Sequence, residues 1–380
     1  MVASAALRER GFAEVKRLCY GGLDAATLLR SVATRLKRVV PFEAYCAQTN
    51  DPLSGLLTHV INDGAILGEK EHRTYVEQVY FEQDLDEQRR LVQNRLPVVR
   101  LSDATGGKLE RALRFREITG PLGLGYELFG VCAVGRQQWG GICLIRERRR
   151  PDFDSREMAL LRRLTPHVGA ALQAAALRMQ VSAQPERDGV PGVLVIDSRG
   201  RVVQHTETAE HWLRDLGHLG SGWLEGRGLP DAIWMVVGAL RRTFAPETDR
   251  DLSSVPCVRV QTRAGRWLTF HGARTEAQAG REGETMVIIE PARPRELAWF
   301  LGSAYGLSER ERVVADRVAQ GDSTEEIAQA LHISKYTVQE HLSNAFDKIG
   351  IHSRRALVQR LFFDNLYPAL SSSAEDRTRA

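Results

Sequence analysis

Side chains that can form hydrogen bonds recur along one stretch near the C-terminus, between Lys335 and Ile349. In a helix over this stretch, the apolar positions fall on one face and the polar positions on the opposite face. Ser334 would cap the helix and leave backbone N–H groups at its positive end, where anions such as phosphate bind. The chemistry predicted here is hydrogen bonding and anion binding at a helix surface. The apolar positions are Val338, Leu342, Ala345 and Ile349, and the polar positions are Tyr336, Gln339, Glu340, Ser343 and Asp347.

Two capping boxes predict the helices that must position this stretch. Ser308 with Glu311, and Ser323 with Glu326, have the spacing at which a serine and a glutamate cap a helix start reciprocally. A short helix after Ser323, a tight turn at 332–334 and a longer helix form a helix-turn-helix, whose second helix fits the major groove of DNA. Three short capped helices also occur as scaffolds that bind nothing, and the spacing alone leaves both interpretations open.

The run from Leu307 to Arg355 resembles the LuxR-type DNA-binding domain. The elements that carry the resemblance are L-S-E-R-E, G-D-S-T-E-E-I-A, L-H-I-S, T-V-Q-E-H-L and K-I-G-I-H-S-R, in that order. The resemblance implies an all-α, four-helix domain over residues 296–368 that binds double-stranded DNA as a homodimer on an inverted repeat. It favours the DNA-binding interpretation over the scaffold.

By that resemblance, three residues occupy positions that read base edges: Gln339, Glu340 and Ser343. Gln can pair with adenine and Glu can accept from cytosine, while family members often carry Lys at positions 339 and 343. Contacts to the DNA backbone are assigned to Thr324, Lys335, Tyr336, Thr337, Lys348, Arg354 and Arg355.

The last predicted helix of this domain carries more apolar residues than a small domain needs, and this excess predicts a dimer face. Its residues are Leu357, Val358, Leu361 and Phe362. Residues 301–362 hold eight basic and eight acidic side chains, so the region is neutral. A neutral domain binds non-specific DNA weakly, and dimerisation should therefore matter for affinity.

Two earlier segments show α+β patterns. Residues 1–180 predict a helix ending near Pro41, short strands, a hairpin around 135–138 and a closing helix capped by Asp154 or Ser155. Residues 190–290 predict a smaller unit that also ends in a hairpin and a strand. Proline-containing stretches at 181–191 and 290–295 separate the segments, and residues 369–380 are predicted to be a disordered tail.

The first segment resembles a GAF domain through Pro41–Cys46, Gly120–Gly123, Trp139–Leu144 and Pro151–Phe153. The second resembles a PAS domain through Gly192–Asp197 and the hairpin after it. The predicted fold is multidomain: GAF-like residues 1–180, PAS-like residues 190–290, and the helix-turn-helix domain. Both sensor folds also serve for dimerisation alone, so sensing of a small-molecule effector and a packing role both remain open. No ligand-pocket residue is predicted.

Other chemistry has weaker signals. His205, His211 and His218 lack metal-ligand spacing, and no cofactor is predicted. Asp84-Leu-Asp86 is interpreted as a solvated charge run. Cys132 and Cys143 lie on neighbouring predicted strands that could bring them together, although a pair of core thiols is the simpler interpretation.

Composition places the chain among ordinary globular proteins. It has 380 residues, of which 43% are hydrophobic and 26% charged, with a net charge of +4. No window approaches a membrane span, the N-terminus has no secretory pattern, and five cysteines without CxxC spacing indicate a reducing cytoplasm. Together with what the LuxR-type resemblance implies, these features favour a cytoplasmic, one-component transcription regulator that is not an enzyme and has no membrane partner. The alternatives are an enzyme in the first two segments and a ligand-binding or scaffolding partner of other regulators.

Overall fold

Two sheets and a C-terminal group of helices account for the described part of the chain. The computed structural model describes residues 5–62, 68–178, 190–216, 229–243, 256–262, 266–275 and 284–363. The chain divides into two compact units. The first unit contains residues 1–175, 191–260 and 269–289, and the second contains 176–190, 261–268 and 290–380.

The first sheet is built from five strands, two of which are joined by the predicted hairpin. Its order is β2-β1-β5-β4-β3, and β1 pairs antiparallel with both β2 and β5. The antiparallel pairing of β4 with β5 confirms the hairpin around Gly135, whose φ of 62° lies in the left-handed region. The strands are β1 (Ala44–Asn50), β2 (Leu57–Asn62), β3 (Val98–Arg100), β4 (Leu124–Val134) and β5 (Gln137–Glu147).

Helices cover both faces of this sheet. On one face the closing helix approaches the strands closely: a Cβ added at Gly130 would lie 2.8 Å from a methyl carbon of Thr165. On the other face, buried side chains of helical segments between 69 and 119 join Phe129, Cys143 and Ile145 in one apolar cluster. The helices are α1 (Ala5–Cys19), α2 (Ala25–Leu36), α3 (Glu69–Thr74), α4 (Leu85–Gln93), α5 (Leu101–Thr105) and α6 (Ser155–Arg178), with π-helical turns at Tyr75–Asp84 and Phe115–Thr119 and a 3-10 turn at Leu109–Arg111.

The second sheet repeats the strand order of the first. Its order is β7-β6-β10-β9-β8, so each sheet runs second, first, fifth, fourth, third when its own strands are counted from one. Helix α8 packs against the π-helical turn Tyr75–Asp84 and against β2 within the first unit. The elements are β6 (Gly192–Ile196), β7 (Val202–His205), α7 (Glu207–Asp215), α8 (Asp231–Thr243), β8 (Cys257–Gln261), β9 (Trp267–Arg274) and β10 (Thr285–Pro291).

One sequence interpretation of the first segment is wrong, and a second question, whether Cys132 and Cys143 meet, is decided in favour of separate buried thiols. Asp84 is not part of a solvated run, because its side chain is 2% exposed and pairs with Arg114. Cys132 and Cys143 do not face each other: Cys143 lies opposite Phe129 on one side and Cys46 on the other, whereas Cys132 lies opposite Gly140.

The second unit is helical at its C-terminal end, as the capping pattern predicts. Its helices are α9 (Pro294–Ala304), α10 (Glu309–Ala319), α11 (Thr324–Leu331), α12 (Lys335–Ile349) and α13 (Arg354–Val358), followed by a π-helical turn at Gln359–Phe363. Helix α9 lies almost entirely within the region predicted to be all-α, although no side-chain cap marks its start. The predicted tail at 369–380 lies outside the described residues. Among the helices described, none is both long and apolar enough to cross a membrane.

Candidate nucleic-acid interface

Local capping fixes both helices of the helix-turn-helix. Ser323 accepts a hydrogen bond from Glu326 N at 3.3 Å, and Ser323 N donates to the Glu326 side chain at 2.7 Å. Ser308 and Glu311 form the same arrangement at the start of α10. Both predicted capping boxes are therefore confirmed, and α11 begins where the sequence places it.

The turn between α11 and α12 depends on one residue in an unusual conformation. His332 has a φ of 54°, in the left-handed region that residues other than glycine seldom adopt. This conformation ends α11, and Ile333 N then donates to the Ala328 carbonyl at 3.0 Å. The small side chain of Ala328 is buried, which allows α12 to cross close to α11.

The start of α12 presents the predicted polar end. Ser334 accepts a hydrogen bond from Thr337 N at 3.0 Å and so acts as the N-cap. Lys335 is exposed, and Tyr336 is 80% exposed, which is unusual for a large aromatic side chain. Phenolic, ammonium and backbone N–H groups thus lie together at the positive end of the helix.

The two faces of α12 separate as predicted. Val338, Leu342, Ala345 and Ile349 are buried, whereas Gln339, Glu340 and Ser343 are exposed. Gln339 donates to the Thr324 hydroxyl at 3.0 Å, which links the outer face of α12 to the first residue of α11. The structure therefore brings the three predicted base-reading residues onto one exposed surface.

The basic residues of the predicted backbone-contact set differ in their surroundings. The ammonium of Lys335 lies 2.7 Å from Glu325, and both side chains are well exposed. The Lys348 ammonium lies 2.6 and 2.9 Å from the two carboxylate oxygens of Glu311, whose side chain is buried. Burial alone would raise the pKa of Glu311, but hydrogen bonds from Lys348 and from Ser308 N hold it below its usual value. Lys348 is thus held in place far more firmly than Lys335.

The two arginines after α12 also differ. Arg354 is half-buried and donates to the Asp322 carbonyl at 3.4 Å, whereas Arg355 is exposed. Arg355 is therefore the more accessible of the two for a contact with another molecule.

The predicted dimer helix packs against its own chain. Leu357 and Leu361 are 0% and 2% exposed. They are therefore not available as the surface for a second copy of the chain that the sequence predicts. Helix α13 and the turn after it pack against α10 and α9, which bury these leucines in the core of the domain. Val358 is half-buried, and the Phe362 side chain lies outside the described residues.

A contact between two histidines and an aspartate, which the sequence does not predict, lies in the first unit. Asp231 contacts His72 Nε2 at 2.7 Å and His59 Nδ1 at 3.3 Å, although these histidines were not among those considered as ligands. In the described ranges, no group of three or more His, Cys, Asp or Glu side chains has an arrangement that could hold a metal ion.

The arrangement of α11, the turn and α12 defines the class of protein: a helix-turn-helix protein with capped helices and an exposed polar face. Residues 306–361 match the family described as "Bacterial regulatory proteins, luxR family". The chain is 44% identical to the spore germination protein GerE of Bacillus subtilis (strain 168) over 55 aligned residues. These residues make up 14% of this chain and 74% of GerE. The chain belongs to the luxR family of bacterial regulatory proteins.

A longer relative and a solved structure also match part of the chain. The transcriptional regulatory protein UhpA of Escherichia coli (strain K12) is 41% identical over 56 residues, which is 15% of this chain and 29% of UhpA. Among solved structures, the Vibrio cholera VqmA–ligand–DNA complex aligns with 46% of this chain and 84% of its own chain, at 17% identity and a TM-score of 0.21.

Proposed function

We propose that the chain is a transcription regulator that binds double-stranded DNA through α11 and α12, with activity set by a signal at its N-terminal unit. The observation that carries the proposal is the exposed polar face of α12, because a capped helix of this kind fits the major groove. In the proposal, Gln339, Glu340 and Ser343 contact base edges. Thr324, Lys335, Tyr336, Thr337 and Arg355 contact the DNA backbone, which fixes the position of the helix but does not specify sequence.

Two copies of the chain bind together in this proposal. The equal numbers of acidic and basic residues over 301–362 leave a single domain little general attraction for phosphate. Two linked domains gain affinity because the second binding event becomes intramolecular. Their half-sites should lie about one helical turn apart, roughly 10 bp. The cytoplasm is the proposed location, since the DNA is there.

The two sheets of the first unit are proposed to be GAF-like and PAS-like sensor domains. Both sheets have the same strand order, which supports assigning them to two related sensor folds. The competing proposal is a scaffolding or ligand-binding partner of other regulators that does not bind DNA by itself. The exposure of the α12 face argues against it, since a scaffold has no need to leave Tyr336 and its polar neighbours uncovered.

The test is selection of binding sites from a pool of random DNA duplexes with the full-length protein. Enrichment of an inverted repeat with half-sites about one turn apart is the expected result. A pool that stays random after repeated rounds would favour the scaffolding alternative, provided that circular dichroism shows a folded protein.

Loss of sequence discrimination is expected when the reading face is truncated. Gln339→Ala or Glu340→Ala should cost about 1–3 kcal/mol on the selected site, because each removes a base-edge hydrogen bond. Competition gel shifts against non-specific duplex measure the change. Glu309→Ala is the matched control, because this residue is exposed on α10, outside the two helices that are proposed to bind DNA, and should leave discrimination intact. Equal losses in the variants and the control would assign the reading face elsewhere.

The salt dependence of binding should separate the two lysines. Lys335→Ala is expected to lower the slope of log K against log salt by about 0.9, the value for one lost phosphate contact. Breaking the exposed Lys335–Glu325 pair to reach DNA costs little. Lys348→Ala should leave the slope unchanged, because its ammonium is held by the buried carboxylate of Glu311. A lower slope for Lys348→Ala with an unchanged slope for Lys335→Ala would reverse the assignment.

A further inference from the structure

A cavity of about 60 Å³ lies in the first unit, between the first sheet and the helical segments that cover it. Its volume is several times the roughly 10–15 Å³ that one water needs. Apolar groups from both sides form much of its wall, among them Phe129 and Ile145 of the sheet, and Tyr75 and Ile118 of the helical segments. The cavity is therefore suited to a small organic molecule with an apolar body.

Buried charges lie at one side of this cavity. The Arg114 guanidinium lies 3.0 Å from Asp84 and 2.7 Å from Glu127, and these three side chains are between 2% and 9% exposed. Burial alone would lower the pKa of Arg114, but the carboxylates around it raise it well above its usual value. Burial raises the pKa of Glu127 more than Arg114 lowers it. Two carboxylates thus share one guanidinium, and the group carries more acidic than basic side chains.

One acidic oxygen in this group has no donor. Glu127 accepts a hydrogen bond from the Thr119 hydroxyl at 3.0 Å, and Asp84 Oδ2 accepts one from Arg114 Nη1 at 3.0 Å. Asp84 Oδ1 is fully buried and has no hydrogen-bond partner among the described residues. Buried acceptors nearly always have a partner in native proteins, and Asp84 is one of the residues that line the cavity, so a donor bound there would supply the missing hydrogen bond.

We propose that this cavity binds a small molecule with a protonated amine, which donates to Asp84, and an apolar body, which packs between Phe129 and Ile118. An anionic ligand is disfavoured, because the carboxylates of Asp84 and Glu127 lie 3.0 and 2.7 Å from the guanidinium that would attract it; Arg114 Nε pairs with Glu127 by charge without forming a hydrogen bond. A protonated amine balances the excess acidic charge and completes the hydrogen bonding of the buried carboxylate. The proposal does not depend on DNA binding by the C-terminal helices.

Three probes of similar shape but different charge test the ligand class. Isoamylammonium, isoamyl alcohol and isovalerate have branched apolar bodies and carry a cationic, a neutral and an anionic head. Calorimetric titration of the full-length protein at fixed ionic strength should show the ammonium binding at least about tenfold more tightly than the alcohol, the usual advantage of a charged hydrogen bond. Tighter binding of isovalerate, or no binding by any of the three, would overturn the proposal.

Variants locate the selective group. Asp84→Asn should remove the preference for the ammonium, so that the ammonium and the alcohol bind within about twofold of each other. Asp86→Asn is the matched control: this carboxylate lies two residues away, is exposed, and does not line the cavity, so the preference should persist. An unchanged preference in Asp84→Asn contradicts the assignment of Asp84.

Hydrogen–deuterium exchange on the unmodified protein gives a second measurement that does not require a variant to fold. Bound isoamylammonium should slow exchange in peptides covering 75–84 and 115–119, which border the cavity. Peptides covering α12 serve as the internal control and should be unaffected. Protection confined to regions outside the first sheet and its covering helices would place the amine elsewhere and reject the proposed site.

Discussion

Replacing Arg114 with Met should lower the free energy of unfolding by about 3–5 kcal/mol, the largest loss expected from any single substitution considered. The Arg114 side chain is 9% exposed and pairs with the carboxylates of Asp84 and Glu127. Met has a similar length and fills much of the same volume, so the loss comes from the two carboxylates left buried without a counter-charge. Urea unfolding followed by circular dichroism measures the change.

The control for this substitution is Arg214→Met. Arg214 pairs with Glu210 one helical turn away on α7, and its side chain is well exposed. Exposed pairs of this kind contribute about 0.3–0.5 kcal/mol. Similar losses of unfolding free energy at positions 114 and 214 would contradict the expectation. They would mean that the buried carboxylates become hydrated or protonated at little cost when Arg114 is removed.

Asp231→Ala should destabilise the protein by about 3 kcal/mol. One carboxylate oxygen accepts the backbone N–H of Val60 at 2.7 Å, and the other lies 2.7 Å from His72 Nε2. The substitution leaves a buried N–H without an acceptor and two histidines without their common partner. Asp103→Ala is the control, because that carboxylate forms an exposed pair with Arg100 and should cost about 1 kcal/mol or less. A loss at Asp231 no larger than at Asp103 would contradict the expectation.

The pH dependence of the same contact has a definite sign. Burial alone would raise the pKa of Asp231, but hydrogen bonds from His59 and His72 hold it far below its ordinary value. A lowered pKa in the folded state means that the stabilisation is fully present above the unfolded pKa, near 3.9, and is lost as the pH falls below it. The difference in stability between the natural protein and Asp231→Ala should therefore shrink below about pH 4. A difference that grew on acidification would have the wrong sign.

Elements with local signals could be predicted from the sequence. The boxes at Ser308 and Ser323 cap helices through hydrogen bonds within four residues, so their chemistry is visible in the order of the residues. The hairpin around Gly135 and the buried stripe of α12 are local in the same sense. This is why the two capped helices and the exposed polar face of α12 could be predicted from the sequence.

Contacts between distant positions gave no such signal. Asp84 and Arg114 are 30 positions apart, and Asp231 lies 159 positions from His72. The turn Tyr75–Asp84 is π-helical, so its buried residues do not follow the spacing of an α-helix, and no helix was predicted there. The common strand order of the two sheets was also invisible, because the sequence shows no internal repeat.

His72 borders the cavity and also holds Asp231 of α8. Any occupant that changes the orientation of this imidazole therefore changes how strongly the first residue of α8 is held. The coupling is reciprocal. If a bound ligand changes the strength of the His72–Asp231 contact by some factor, that contact changes the affinity for the ligand by the same factor. A substitution of Asp231, which does not line the cavity, would then still change the affinity of the cavity for its ligand.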